Sequence, residues 1–235
     1  MKRILVLSMC GWLALSGLGY SDLISGVTAS ASHNPFAPGR GADRMVDGSG
    51  LNSPANPDDP TAWTHTGGEN EFGDNRNYLA DARAGQTVVD DKWVAFDLGS
   101  VQELSAMNVF NFGVSAGVRN QRGTQNADVY YRSDSLGGNA NNNNVAFDAT
   151  GWTAFGSQVF TIGPTDGLAQ GADTLDMSGI TARYIAIDIN TNHGDSGFVG
   201  LGEVQFFNTI PEPGSGALLS VGLLLVAGVL RRSRR

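Results

Sequence analysis

Between residues 21 and 210, apolar side chains recur at every second position in short runs, and clusters of Gly, Asn, Asp and Pro separate the runs. In Tyr184-Ile185-Ala186-Ile187-Asp188-Ile189 the three isoleucines fall on one face of an extended chain and Asp188 on the other. A helical period would scatter them, so period two wins. The same reading predicts strands over 24–32, 92–98, 107–112, 127–133, 152–160, 183–190 and 202–208. No stretch of this body has the spacing, caps and length of an amphipathic helix. The expected fold class is therefore all-β, a sandwich. Its long connections, 52–60, 66–91 and 137–149, are polar or Asn-rich, and in the last of them Asn139 with Asn141 to Asn144 reads as a mobile hairpin tip without a functional role.

The two ends differ in composition from this body. Met1-Lys2-Arg3 precedes an apolar run from Ile4 to Gly19 that closes on small residues, the layout of a secretory signal peptide over residues 1–20. At the other end, Pro211-Glu212-Pro213 and a Gly-Ser-Gly stretch precede an uncharged segment, 217–230, and then Arg231-Arg232-Ser233-Arg234-Arg235. An apolar helix stopped by arginines predicts a membrane segment with a cytoplasmic tail and the body outside. Cys10 is the one cysteine and lies in the leader. A mature body without cysteine excludes a disulfide framework, a thiol nucleophile and a Cys-zinc site. Within residues 21–210 only nine basic side chains face 22 acidic ones. Such a body repels phosphate backbones, and nucleic acid is a poor partner.

Read together, Pro-Glu-Pro, the apolar segment and the terminal arginines resemble the PEP-CTERM sorting signal of Gram-negative bacteria. The resemblance implies that an exosortase, a membrane transpeptidase-like enzyme, recognises Pro211, Glu212 and Pro213. The protein would pass the periplasmic face of the inner membrane in transit and end at the cell surface or in the extracellular matrix. The body carries a second resemblance, in residues that occur in order: Val27 to Ser32, Ala42 to Gly48, Thr61-Ala62-Trp63, Trp93 to Gly99, Asp128 to Tyr131, Arg183 to Ile187 and Gly202 to Phe206. This order is similar to the coagulation factor 5/8 type C (discoidin) domain, one of the galactose-binding-like jelly rolls that include many carbohydrate-binding modules. The implied architecture is a leader (1–20), a jelly-roll β-sandwich (21–210) and a sorting tail (211–235).

Asp43 to Ser49 is the best metal candidate, because calcium takes six to eight oxygens and a tight Asp-Gly turn aims carbonyls inward. The alternative is a plain Asp-Gly turn. The discoidin resemblance implies that a structural Ca²⁺ is held by Asp47, Thr61 and Glu203. For ligand binding, loop aromatics and polar side chains concentrate at Trp63, His65, Phe72, Arg76 and Tyr78, and again at His193, Asp195 and Phe198. Sugars stack C–H faces on aromatic rings while Arg, His, Asn or Asp bind the hydroxyls, so Trp63, His65, Arg76, His193 and Phe198 form the expected saccharide site. The alternative reading makes Trp63 and Phe198 caps on the core.

Residues 28–35, Thr-Ala-Ser-Ala-Ser-His-Asn-Pro, nearly spell a phosphohexomutase serine signature, but two extra residues interrupt it and a body of this size lacks the several domains that chemistry needs. No nucleophile elbow and no metal-ligand spacing of histidines occurs. The expectation is an exported binding module for carbohydrate and not an enzyme, with a structural matrix protein of the same fold as the alternative.

Overall fold

The computed structural model describes residues 21–35, 38–52, 63–66, 77–81, 92–114, 119–141, 144–165 and 168–209. The expected leader, the Pro211-Glu212-Pro213 motif and the segment 217–230 lie outside the described residues, as do Thr61 and Arg76. Among the described residues, no helix is long and apolar enough to cross a membrane.

The strands are β1 (Ser21–Leu23), β2 (Thr28–Ala31), β3 (Leu51–Asn52), β4 (Thr64–His65), β5 (Tyr78–Asp81), β6 (Lys92–Asn111), β7 (Thr124–Arg132), β8 (Thr153–Val159), β9 (Gln170–Gly171), β10 (Asp173–Asn192) and β11 (Phe198–Thr209). Every ladder between them is antiparallel. β6 and β10 run beside each other from Asp173↔Val109 to Ile189↔Lys92. Twenty straight residues would span about 66 Å, more than a domain of this size can house, so the ribbon has to bend. Register shifts between Asp176 and Ile180 and between Ala182 and Tyr184 supply the bend, as bulges do.

The bend shares the two strands between the layers of a sandwich. Residues 94–97 of β6 pair with β2, and residues 184–192 of β10 pair with β7, which pairs with β8. Further along β6, residues 104–111 pair with β11, whose other edge carries β1 and β5. Ile185, Ile187, Ile189, Val94 and Phe96 from the first layer share one buried cluster with Leu104, Met107, Val109, Val204 and Phe206 from the second. The fold is thus an antiparallel all-β sandwich. A small separate sheet, β3-β4-β9, joins three connections.

The sequence reading splits β6 into two strands and starts β10 ten residues late. Gly99 (φ 81°) and Ser178-Gly179 look like turns, yet they lie inside paired strands. The Ile-in, Asp188-out alternation of β10 holds. Ala186, on the other face, joins Trp93 and Ala95 beneath Tyr130, Leu136, Phe147 and Trp152.

The mobile tip expected at Asn139 and Asn141 to Asn144 is corrected at Asn139, Asn141 and Asn144. Asn139 is buried. Its amide donates to the carbonyls of Leu136 (3.2 Å) and Asp148 (2.9 Å), and its Oδ1 accepts the Asp148 N–H (2.8 Å). Asn141 Oδ1 accepts the N–H of Ala31 at 3.0 Å, and the Asn144 N–H donates to the Ser32 carbonyl at 2.8 Å. The Asn-rich segment therefore closes the outer edge of β2 with side-chain and backbone groups, work that a third strand would otherwise do.

Candidate functional site

Asp47 and Glu203 are far apart in sequence and meet in space. A 3-10 turn, Ala42–Met45, buries Met45 in the core and precedes Asp47 and Gly48, which meet the last long strand at Glu203. The Gly48 N–H donates to both carboxylate oxygens of Glu203, at 3.1 and 3.2 Å. Burial, with the Asp47 carboxylate nearby, pushes the Glu203 carboxyl up to about 8 against the pull of that N–H. Asp47 itself accepts from Arg44 Nη1 (2.9 Å) and from the Ser49 N–H (2.8 Å). The Ser49 hydroxyl is buried and has no hydrogen-bond partner among the described residues.

These groups fit calcium better than zinc. Among the described residues no three His, Cys, Asp or Glu side chains converge, so a cation here would lean on hydroxyl and carbonyl oxygens. Glu203 and the orphaned Ser49 hydroxyl offer oxygens of that kind, while the Gly48 and Ser49 carbonyls accept from the Leu51 N–H and from His65. Calcium bound there would supply the positive charge that a buried carboxylate needs.

His65 belongs to this same region. Its Nε2 donates to the Ser49 carbonyl at 3.2 Å, and its ring lies 6.2 Å from that of Phe110. Gly50 makes room for it, since a Cβ at that position (φ 86°) would come within 2.5 Å of the imidazole. At 1% exposure His65 is packed inside the loop, so the expected saccharide contact from this ring is revised. Trp63, two residues earlier, is half-buried, and its indole N–H is buried without a bond.

His193 and Phe198 belong to a second group, on the turn between β10 and β11. Asp195 Oδ1 accepts the N–H groups of Gly197 (2.8 Å) and Phe198 (2.9 Å). The Asn192 amide donates to the carbonyls of Asp195 (2.6 Å) and Phe198 (2.8 Å). Arg122 Nε pairs with Asp195 Oδ2 at 3.2 Å, and its guanidinium lies 4.2 Å from the centre of the Phe198 ring. His193 Nε2 donates to the Phe160 carbonyl at 3.1 Å, and burial holds the imidazole below its usual range. Phe198 also packs on Leu79, Phe112 and Val114. The loop is a stiff polar frame around a half-buried ring.

Sequence reasoning missed Arg122 and Asn192. Arg122 is one of only nine basic residues in a strongly acidic body, a signal that marks it for pairing. Asn192 and Asp195 flank Gly194, a spacing suited to Asx turns. Ser49 closes the stretch Asp43 to Ser49 that the sequence marks for a metal, without a role of its own. Ser32 and His33, the interrupted serine signature, share a 2.8 Å hydrogen bond, but both are buried and Ser32 Oγ accepts the Trp93 N–H.

No family model and no curated protein matches the chain. Solved structures are similar to it. The family 32 carbohydrate-binding module of Clostridium perfringens NanJ, in complex with galactose, is 14% identical over 80% of this chain and 99% of its own, with a TM-score of 0.47. The second family 32 module of a family 31 glycoside hydrolase, bound to GalNAc, is 14% identical over 79% and 98%, with a TM-score of 0.47. The lectin domain of lectinolysin, complexed with Lewis B antigen, is 18% identical over 79% and 94%, with a TM-score of 0.46. The proteins to which this β-sandwich is similar therefore include carbohydrate-binding modules.

Proposed function

We propose that the chain is an exported surface or matrix protein whose β-sandwich body binds carbohydrate and carries a structural Ca²⁺ between the Asp47 turn and Glu203. The observation that supports binding is the Asn192 to Phe198 loop. Its backbone is held by Asp195, Asn192 and Arg122, and it sets a half-buried aromatic ring among polar groups. A saccharide needs that combination, an apolar ring for its C–H face and preorganised polar atoms for its hydroxyls. Phe198 and Trp63 are the ring contacts, and His193 and Arg76 are the polar ones. One open site of this kind binds weakly, with a Kd on the order of 0.1 to 1 mM.

Export rests on the ends of the sequence. The basic, apolar leader directs the chain across the inner membrane. The apolar segment 217–230 with its arginine stop holds the tail there while an exosortase reads Pro211-Glu212-Pro213. Protease added to spheroplasts should digest the body, and full protection of the body would overturn this topology.

A structural protein without a small-molecule site is the second reading. It is favoured by the Arg122 guanidinium lying on the Phe198 ring. Affinity electrophoresis through gels containing polysaccharides, together with a glycan array, separates the two. Retarded migration that free sugar reverses is expected. Unretarded migration in every gel and a blank array would leave the structural reading.

A further inference from the structure

Asn111 ends β6 and is 4% exposed, too deep to touch a ligand. Its side chain makes three hydrogen bonds, all to backbone. Nδ2 donates to the carbonyls of Thr124 (2.6 Å) and Thr161 (2.8 Å), and Oδ1 accepts the Phe112 N–H (2.8 Å). Each partner adjoins or carries a group that holds His193 or Phe198. Gly123, before Thr124, accepts the His193 N–H on its carbonyl at 3.1 Å. Phe160, before Thr161, accepts from the His193 imidazole at 3.1 Å. The Phe112 ring belongs to the apolar cluster on which Phe198 packs. Further bonds join the same segments: Thr124 Oγ1 donates to the Gly200 carbonyl at 3.1 Å, and the Asp195 N–H to the Gln121 carbonyl at 3.4 Å. Three connections, β6 to β7, β8 to β9 and β10 to β11, therefore meet at one buried amide.

We propose that Asn111 is a positioning residue for the saccharide site, fixing the His193 imidazole relative to the Phe198 ring without touching the ligand. The ligand is taken from the carbohydrate reading, while the coupling of the loops stands without it. Chemistry selects asparagine at this position. The surroundings present two carbonyl oxygens and one N–H, and a carboxamide offers two donors and one acceptor at that reach. Aspartate would set a carboxylate against two carbonyls, and leucine would lose all three bonds. Gly123 serves the same contact, since a Cβ there would come within 2.8 Å of Asn111 Oδ1 and 3.1 Å of the Asn120 carbonyl. An open site gains affinity when its contacts are ordered before the ligand arrives, and this amide orders both of them from below.

The test compares Asn111→Ala with Asn139→Ala in the full-length chain in detergent. Both remove three hydrogen bonds from a buried Asn to backbone, but the Asn139 partners are Leu136 and Asp148. Hydrogen exchange at the His193 and Phe198 amides, read by NMR, should be about tenfold faster in Asn111→Ala than in Asn139→Ala. The His193 imidazole, held below its usual range by burial, should titrate closer to that range in Asn111→Ala and stay in place in Asn139→Ala. Retention in polysaccharide gels should fall in the first variant and persist in the second. If Asn111→Ala does not fold, the wild type decides: native-state exchange should give the Phe112 and His193 amides one common opening free energy, distinct from that of Asp148. Exchange and titration that move alike in both variants, or separate opening free energies at Phe112 and His193, would overturn the positioning role. Unretarded wild type in every gel would overturn the carbohydrate reading and with it the ligand, whereas exchange and titration read the loop coupling without sugar.

Discussion

Glu203 accepts the backbone N–H of Gly48 on both of its carboxylate oxygens, at 3.1 and 3.2 Å, across 155 residues of chain. This contact ties a surface turn to the first half of the last long strand. Among the described residues no basic side chain pairs with Glu203. A carboxylate buried to 3% exposure beside a second carboxylate is a costly arrangement unless it is protonated or meets a cation.

Calcium should stabilise the fold. Binding to the native state alone, at 100 times its Kd, adds about 2.7 kcal/mol. Melting curves in calcium and in EDTA should therefore separate, and Asp47→Ala should merge them. Superimposable wild-type curves in the two buffers would remove the metal from this account.

Without calcium, stability should fall as pH rises from about 4.5 to about 8. Glu203 holds its proton in the folded chain up to about 8, whereas the unfolded carboxyl releases it near its ordinary value. The folded state therefore binds more protons across that window, and stability declines with pH by an amount on the order of a few kcal/mol. Asp97, held low by the Arg183 guanidinium, acts in the opposite sense and in a different window: its contribution is present above the ordinary carboxylate range and is lost on acidification. Glu203→Gln should flatten the decline above pH 5 in EDTA. A mutant with the wild-type slope would show that another group is responsible.

Asn139→Ala should destabilise the chain by about 1 to 3 kcal/mol, because it removes three part-buried hydrogen bonds from the buried Asn139 side chain to the backbone of Leu136 and Asp148. Ser135→Ala, four residues away and exposed, should stay within about 0.5 kcal/mol. Denaturant titration of both variants measures the contrast. Equal midpoints would restore the free-tip picture of the Asn-rich loop.

Trp63→Ala and Phe198→Ala should part company. Phe198 packs on Leu79, Phe112 and Val114 and sits under Arg122, so its loss should cost about 2 kcal/mol or more. Trp63 has a buried N–H without a bond, and its removal should lower polysaccharide retention with a smaller loss of stability. Chemical denaturation paired with affinity electrophoresis reads both quantities. A Trp63→Ala protein that melts early and binds as wild type would assign Trp63 to the core.

Strand type and the inward face were legible because alternation is a local property: Ile185, Ile187 and Ile189 point one way whatever lies across from them. Asp47 and Glu203 were paired only through the discoidin-like order of the sequence, and the hydrogen bonds between Gly48 and Glu203 give that pairing its geometry. Other features had no local signature. Gly99 and Ser178-Gly179 read as breaks because glycine and serine favour turns. The partner strands that keep them inside β6 and β10 come from remote segments, and cross-strand bonds override local preference. The burial of His65 depends on Ser49 and Phe110, and the stacking on Phe198 depends on Arg122, 76 residues earlier by numbering. The sequence by itself determined the all-β class, the acidity of the body and the composition of its ends. Only the tertiary structure decided which loops are closed by their own side chains and which side chains pack against the Phe198 ring, since each depends on neighbours that folding alone brings together.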